Sequence, residues 1–361
     1  MLEYLRKNVE TRIGVFTKKI QKEYGFHRVH PLLYDSLAEY SLRQGKRIRP
    51  LLLLLSYQGY SGKKRLPSSL YYTSICMEFL HNFMLIHDDI IDNSDLRRGK
   101  PTMHKMLENI VPSKRPVSLG KELAIIAGDI LYALAIDAFL SVKALPDRKE
   151  RALKYFIQTA ALTAMGEFID TIHGLEPLTA VGEKDVMLNY SLKTARYTFD
   201  CPLVVGAILG GANKKETQKL AELGLMIGQA FQIQDDVIGI FDTEENIGKS
   251  VLSDLQESKK TLLVCHAFNK LKGNDKEAFV KIFNKRKKTY GDLEKIRKIF
   301  IDSGSLEYCL SEIRERMKKS SKIMKNLSMR NDIKQIINTA LMQFFNNVDQ
   351  IAVKYGFTQI L

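Results

Sequence analysis

Helical periodicity that runs almost without interruption is the feature that most restricts how this chain folds. Between Tyr72 and Met84, apolar residues recur at positions 72, 75, 76, 79, 80 and 83, the three-and-four spacing of one helical face. No segment sustains the apolar–polar alternation of a strand, and no Asn-Gly pair marks a hairpin turn. Breaks containing glycine or proline fall at 59–67, 93–101, 112–120, 146–147, 174–182, 210–213, 243–249, 273–274 and 291–292. They leave about ten or more helices joined by short connections, which favour antiparallel neighbours. No internal repeat and no shift in composition marks a second domain. The expectation is an all-α fold, a single large bundle of mostly antiparallel helices formed by residues 1–361.

A chain of 361 residues that is 45% hydrophobic can bury a substantial core. Its four cysteines, Cys76, Cys201, Cys265 and Cys309, are far apart and show no Cys-x-x-Cys spacing. They read as buried free thiols in a reducing, cytoplasmic setting, not as a disulfide framework or a zinc site. The net charge of +14 suits nucleic acid, an anionic membrane surface or polyanionic small substrates. Late basic clusters (Lys285-Arg286-Lys287-Lys288; Arg314, Arg316, Lys318, Lys319) alternate with apolar residues and read as solvated helix faces. They leave peripheral membrane contact open. No aromatic–basic interleaving argues for nucleic acid as a partner. Met1–Lys7 carries charge where a secretory leader needs an apolar run, and Leu51–Leu55 is far shorter than the roughly 20 residues of a membrane span. No transmembrane segment is expected.

The chemistry is concentrated in two aspartate clusters on helical patterns. The first is His87-Asp88-Asp89-Ile90-Ile91-Asp92 and the second Gln232-Ile233-Gln234-Asp235-Asp236-Val237-Ile238-Gly239. Carboxylates this dense among apolar residues repel one another and lose hydration, so they call for a compensating cation. Asp88 and Asp92 stand at i,i+4 on one face, where two carboxylates can grip one hard metal ion. His81, Leu85, Asp88 and Asp92 form a single stripe. His81 is either a satisfied core histidine or an anion contact above a metal-binding pair. Gln232 lies three and four residues before Asp235 and Asp236, on the same face.

Cations surround these clusters. Arg97-Arg98-Gly99 follows the first; the guanidinium forks either pair with the aspartates or match phosphate oxygens. Gly45-Lys46-Arg47-Ile48-Arg49-Pro50 sets three cations before a very apolar helix. Gly248-Lys249-Ser250 and Lys259-Lys260-Thr261 follow the second cluster. The triplet at 248–250 lacks the earlier glycine and the leading strand of a P-loop, so a nucleotide-binding reading is rejected. Together these features fit a magnesium-held diphosphate between two acidic helices.

With these motifs in place, the chain resembles the trans-isoprenyl diphosphate synthases, all-α enzymes built around a central cavity that extend allylic diphosphates with isopentenyl diphosphate. Gly-Lys-Arg-x-Arg-Pro is intact at 45–50, and the resemblance implies that Lys46 and Arg49 hold isopentenyl diphosphate, with His81 in the same task. It also implies that Asp88 and Asp92, supported by Asp89, ligate magnesium, as do Asp235 and Asp236, with three ions per site. Arg97 matches the allylic-diphosphate arginine and Arg98 its isopentenyl counterpart. Lys193 and Thr194 match a Lys-Thr pair on the allylic diphosphate, Gln232 belongs to Phe-Gln-x-x-Asp-Asp, and Lys249 and Lys259 match two diphosphate-binding lysines. The resemblance further implies a homodimer.

Three positions depart from the family pattern. Gly239 replaces the third aspartate of the second motif, as in archaeal-type members. Glu167 replaces the amide of Gly-Gln-x-x-x-Asp, and Ser258 stands where glycine precedes the last lysine. Phe83 and Met84, five and four residues before Asp88, occupy the positions that limit product length in the family. A single aromatic at the position of Phe83 implies geranylgeranyl diphosphate, with farnesyl or farnesylgeranyl diphosphate as alternatives. A class I terpene cyclase fits poorly, because Ile240 stands where its second metal motif needs a hydroxyl and Gly-Lys-Arg-x-Arg-Pro would be superfluous. A non-catalytic regulatory subunit of a heteromeric synthase should have lost aspartates that are all present in the first motif.

Overall fold

The computed structural model describes residues 1–97, 99–110, 114–243 and 251–360. Arg98 and Lys249, both expected to bind diphosphate, lie outside them. The described chain is helical almost throughout: α1 (Leu2–Glu23), α2 (Pro31–Leu42), α3 (Ile48–Ser61), α4 (Ser68–Ile91), α5 (Met103–Ile110), α6 (Pro116–Leu140), α7 (Pro146–Leu175), α8 (Glu183–Asn189), a π-helix (Tyr190–Asp200), α9 (Cys201–Gly210), α10 (Lys214–Phe241), α11 (Leu262–Lys270), α12 (Gly273–Phe283), α13 (Tyr290–Asp302), α14 (Ser305–Lys325), α15 (Asn331–Met342) and α16 (Asn346–Lys354). Single turns at Phe26–Val29 and Ser253–Gln256 complete the helices among the described residues, and a short hairpin pairs β1 (Leu96–Arg97) with β2 (Lys100–Pro101).

The chain forms two compact units, each assembled from separate stretches of sequence: 1–160, 202–217 and 329–333 in one, 161–201, 218–328 and 334–361 in the other. In the first unit α4 is the organising helix, packed against α6, α3 and α1. Its core includes the fully buried run Leu52–Leu55 of α3, with Ile75, Phe79 and Leu80 of α4 and Leu131, Leu134 and Phe139 of α6. Burying each such side chain contributes about 1.5–3 kcal/mol, which is why a five-leucine run favours a core helix over an exposed one. In the second unit Phe241, Phe279, Phe300 and Phe345, all at most 1% exposed, centre a core shared by α10, α12, α13 and the approach to α16.

Several expected joints sit differently. The break expected at 291–292 is the first turn of α13: Thr289 accepts from the Asp292 amide at 3.2 Å while Asp292 accepts from the Thr289 amide at 3.0 Å. This reciprocal capping turns residues that look like helix breakers into a helix start. Gly273-Asn274 likewise opens α12, and α6 starts at Pro116, before the expected end of its joint, because proline is well accommodated at a first helical position. One described helix, at Val117–Leu140 with a mean hydropathy of 2.0, is long and apolar enough to cross a bilayer by length and composition. The expectation of no transmembrane segment rested on Leu51–Leu55 and did not cover this helix. Its inner face, including Ala124, Ala127, Leu131, Ala135 and Ala138, is buried against the rest of its unit.

All four cysteines are buried and free, as expected. Burial pushes the Cys265 thiol up to about 12.

Candidate active site

In the first unit the aspartates occupy the C-terminal end of α4, where Asp92 is the capping residue and its amide donates to the Asp88 carbonyl at 2.9 Å. The β1–β2 hairpin directs Arg97 back onto that end. Its Nε donates to Asp89 Oδ1 at 2.7 Å and its Nη2 to Asp88 Oδ2 at 3.1 Å. Of the two roles open to this arginine in sequence, pairing with the aspartates is the one the structure displays. Asp89 is fully buried, and Tyr40 Oη donates to its Oδ2 at 3.4 Å. Burial pushes the Asp89 carboxyl up to about 6, opposed by Arg97 and Tyr40 and reinforced by the neighbouring Asp88 charge. Crowding of this kind is relieved by added positive charge.

The cationic segment at 45–50 belongs to the same unit. Lys46 is exposed and Arg49 half-buried, whereas Arg47 turns inward. Arg47 adopts a left-handed backbone (φ 52°) at the start of α3, and its Nη1 donates to Glu78 Oε2 at 2.6 Å, with both side chains at most 5% exposed. Its Nη2 donates to the Arg43 carbonyl at 2.5 Å. Arg43 bonds Glu39 and lies over the Tyr40 ring at 4.6 Å. Lys46 and Arg49 therefore flank a residue pinned to α4 three positions before the buried His81. In sequence the three cations stand as one group, and Glu78 is 31 residues away from Arg47. The available signal was a carboxylate inside an apolar helix, which needs a partner.

Phe83 is half-buried, its ring 5.2 Å from that of Tyr132 on α6 and 4.7 Å from that of His87. Met84 follows on the same helix, also half-buried.

In the second unit the π-helix and α10 approach backbone to backbone: a Cβ at Gly228 would lie 2.3 Å from the Ala195 Cα. That proximity allows Thr194 Oγ1 to donate to Gln232 Oε1 at 2.7 Å, while Gln232 Nε2 donates to Asp236 Oδ1 at 3.0 Å. The Tyr190 hydroxyl donates to Asp236 Oδ2 and accepts from the Leu262 amide at 3.0 Å. Burial, with the adjacent Asp236 charge, raises the Tyr190 phenol well above its ordinary value, so it stays a donor. Asp236 is thus held through both oxygens, whereas Asp235 is exposed. Tyr190 was not singled out in sequence, since its distance from Asp236 along the chain leaves no local signal.

Lys193 forms ion pairs with Asp170 Oδ2 at 2.7 Å and Glu167 Oε2 at 2.9 Å. Lys259 pairs with Glu257 at 2.8 Å. Ser258, the glycine-replacing residue before it, has φ 54°, which explains a preference for glycine there. Its hydroxyl donates to the Phe283 carbonyl at 3.0 Å and accepts from Lys288 Nζ at 2.7 Å, so the strained turn is held by a lysine only 3% exposed.

The donor set at both motifs consists of hard carboxylate oxygens. Carboxylates supplemented by phosphate and water oxygens suit magnesium better than a soft metal, and the crowded charge at Asp88–Asp89 gives such an ion an electrostatic reason to bind.

The pattern described as polyprenyl synthetase matches residues 30–300. The geranylgeranyl diphosphate synthase of Saccharolobus solfataricus is 34% identical over 306 residues, covering 83% of each chain. That of Sulfolobus acidocaldarius is 30% identical over 305 residues, covering 84% of this chain and 87% of its own. The crystal structure of geranylgeranyl pyrophosphate synthetase from Pyrococcus horikoshii superposes with a TM-score of 0.79 at 28% identity, covering 95% of this chain and 98% of that one.

Proposed function

The chain belongs to the polyprenyl synthetase family, and from that membership we propose that it is a trans-isoprenyl diphosphate synthase making chiefly geranylgeranyl diphosphate. It is a prenyltransferase that condenses isopentenyl diphosphate with dimethylallyl, geranyl and farnesyl diphosphates. The observation that carries this reading is the arrangement on α4. Carboxylates crowd its C-terminal end, and upstream the Arg47–Glu78 pair ties down the segment bearing Lys46 and Arg49. A chain that handles one diphosphate through metal and a second through cations needs both features.

Magnesium, when bound, supplies the positive charge that turns the allylic diphosphate into a leaving group. Asp88, Asp89, Asp92, Asp235 and Asp236 are the residues assigned to hold it, three ions in all. Arg97, Lys193, Lys249 and Lys259 bind the departing diphosphate. The allylic C–O bond breaks, and the Thr194 and Gln232 oxygens stabilise the resulting cation while apolar helix surfaces exclude water. Lys46, Arg49, His81 and Arg98 hold isopentenyl diphosphate so that its double bond attacks the cation and forms the new C–C bond. The released diphosphate takes the proton lost in the final elimination, so no protein base is assigned.

A homodimer and a cytoplasmic setting complete the proposal. The first is supported by exposed Ile125, Ile126 and Leu140 on α6, the second by four free buried thiols.

The test is isopentenyl incorporation by the purified chain with magnesium and each allylic starter, with products sized by mass analysis. A twenty-carbon product is expected. A farnesyl or farnesylgeranyl product would move the length assignment, and no incorporation by the chain alone would favour a regulatory subunit. Asp88→Ala should lower turnover by roughly a hundredfold or more at saturating magnesium with the fold intact. Wild-type-like turnover would defeat the metal assignment.

A further inference from the structure

We propose that Glu167 sets how tightly Lys193 holds the allylic diphosphate, by competing with it for the ammonium group. The inference rests on the function proposed above. Gly166 brings α7 against the π-helix so closely that a Cβ there would lie 2.5 Å from the Lys193 amide nitrogen. This close approach places both Glu167 and Asp170 within 3 Å of Lys193 Nζ. The two carboxylates differ in reach. Asp170 is held a second time, through Asn189 Nδ2 donating to its Oδ1 at 2.7 Å. Glu167 is the longer and more adaptable side chain, so it is the one that yields when a diphosphate arrives.

The three charged groups sum to −1, whereas an amide at 167, as in the family pattern, leaves the trio neutral. Their side chains are only 20–30% exposed, and although the Lys260 charge reaches Asp170 and offsets part of the surplus, the remainder is incompletely screened from an incoming polyanion. An allylic diphosphate must therefore displace one carboxylate and approach the other charge. The same holds for the product, which carries the same diphosphate. Glu167 thus weakens the grip on both and favours release.

Glu167→Gln preserves size and hydrogen bonding while removing the charge. It should lower KM for the allylic substrate by about three- to tenfold, from one unit charge at this range. KM for isopentenyl diphosphate should stay within about twofold, since its cations belong to another segment. Calorimetric binding of inorganic pyrophosphate with magnesium should tighten by the same factor, and the gain should shrink at high ionic strength. Glu167→Ala should shift affinity in the same direction, which separates charge from shape. Melting curves identify variants that keep their fold. Unchanged or weaker pyrophosphate binding in a folded Glu167→Gln variant, or equal shifts in both KM values, would overturn the proposal. Wild-type protein that incorporates no isopentenyl unit would instead overturn the functional reading, a result the pyrophosphate titration does not share.

Discussion

At the scale of single residues, Phe83 shows how a sequence position acquires meaning from what braces it. Its ring contacts Tyr132 and His87, and His87 Nδ1 lies 3.0 Å from the Phe83 carbonyl. The ring therefore cannot swing aside without disturbing two neighbours, as a length-limiting floor requires. Phe83→Ser is expected to lengthen the product beyond twenty carbons at a stability cost of about 1–3 kcal/mol for a half-buried ring. Mass analysis of the products checks this, and an unchanged profile would assign Phe83 to packing alone. The position was legible because the spacing to Asp88 is local. Tyr132 was not, because nothing in the sequence says which aromatic on a later helix meets it. The same limit explains Tyr190 and Lys288, whose partners at Asp236 and Ser258 are 46 and 30 residues away.

At the scale of elements, helix content was legible almost everywhere, while two kinds of detail escaped. The first turns that contain Gly291-Asp292 and Pro116 fall within expected breaks, since Asp, Gly and Pro punctuate loops and also serve the first turn. The π-helix at 190–200 escaped because it continues α8 and runs into α9 with no glycine or proline inside it, so no break residue sets it apart from an α-helix. The junction of α3 with α4 yields the element-scale prediction. Arg47 holds a left-handed backbone that a non-glycine residue adopts only against resistance, and its buried guanidinium answers to Glu78. Glu78→Gln leaves that cation without its counter-charge, which should cost about 3 kcal/mol in urea unfolding. Because Lys46 and Arg49 flank Arg47, KM for isopentenyl diphosphate should rise more than KM for the allylic substrate. Equal changes in the two would confine Glu78 to a stabilising role.

At the scale of the whole molecule, the expectation of a single domain over 1–361 meets two compact units that are each discontinuous in sequence. Composition could not have revealed them: a boundary is legible when it falls in a polar or proline-rich linker, and here boundaries fall at residues 160, 201, 217, 328 and 333, within or beside helices. α7 runs from Pro146 to Leu175 and α10 from Lys214 to Phe241, so each contributes residues to both units. Unfolding one unit alone would require ending α7 in its middle and detaching the first turn of α10, with loss of the hydrogen bonds that span each break. Neither unit can be cut out as one segment with its core complete, because Leu203, Val204 and Val205 return to the first after residues 161–201 have been spent in the second. We therefore propose that the chain unfolds as one domain. Calorimetry should give a single transition whose van't Hoff and calorimetric enthalpies per cooperative unit agree. Two resolved transitions, or a truncation at residue 160 that melts cooperatively by itself, would mean that the units are independent and the single-domain reading is wrong.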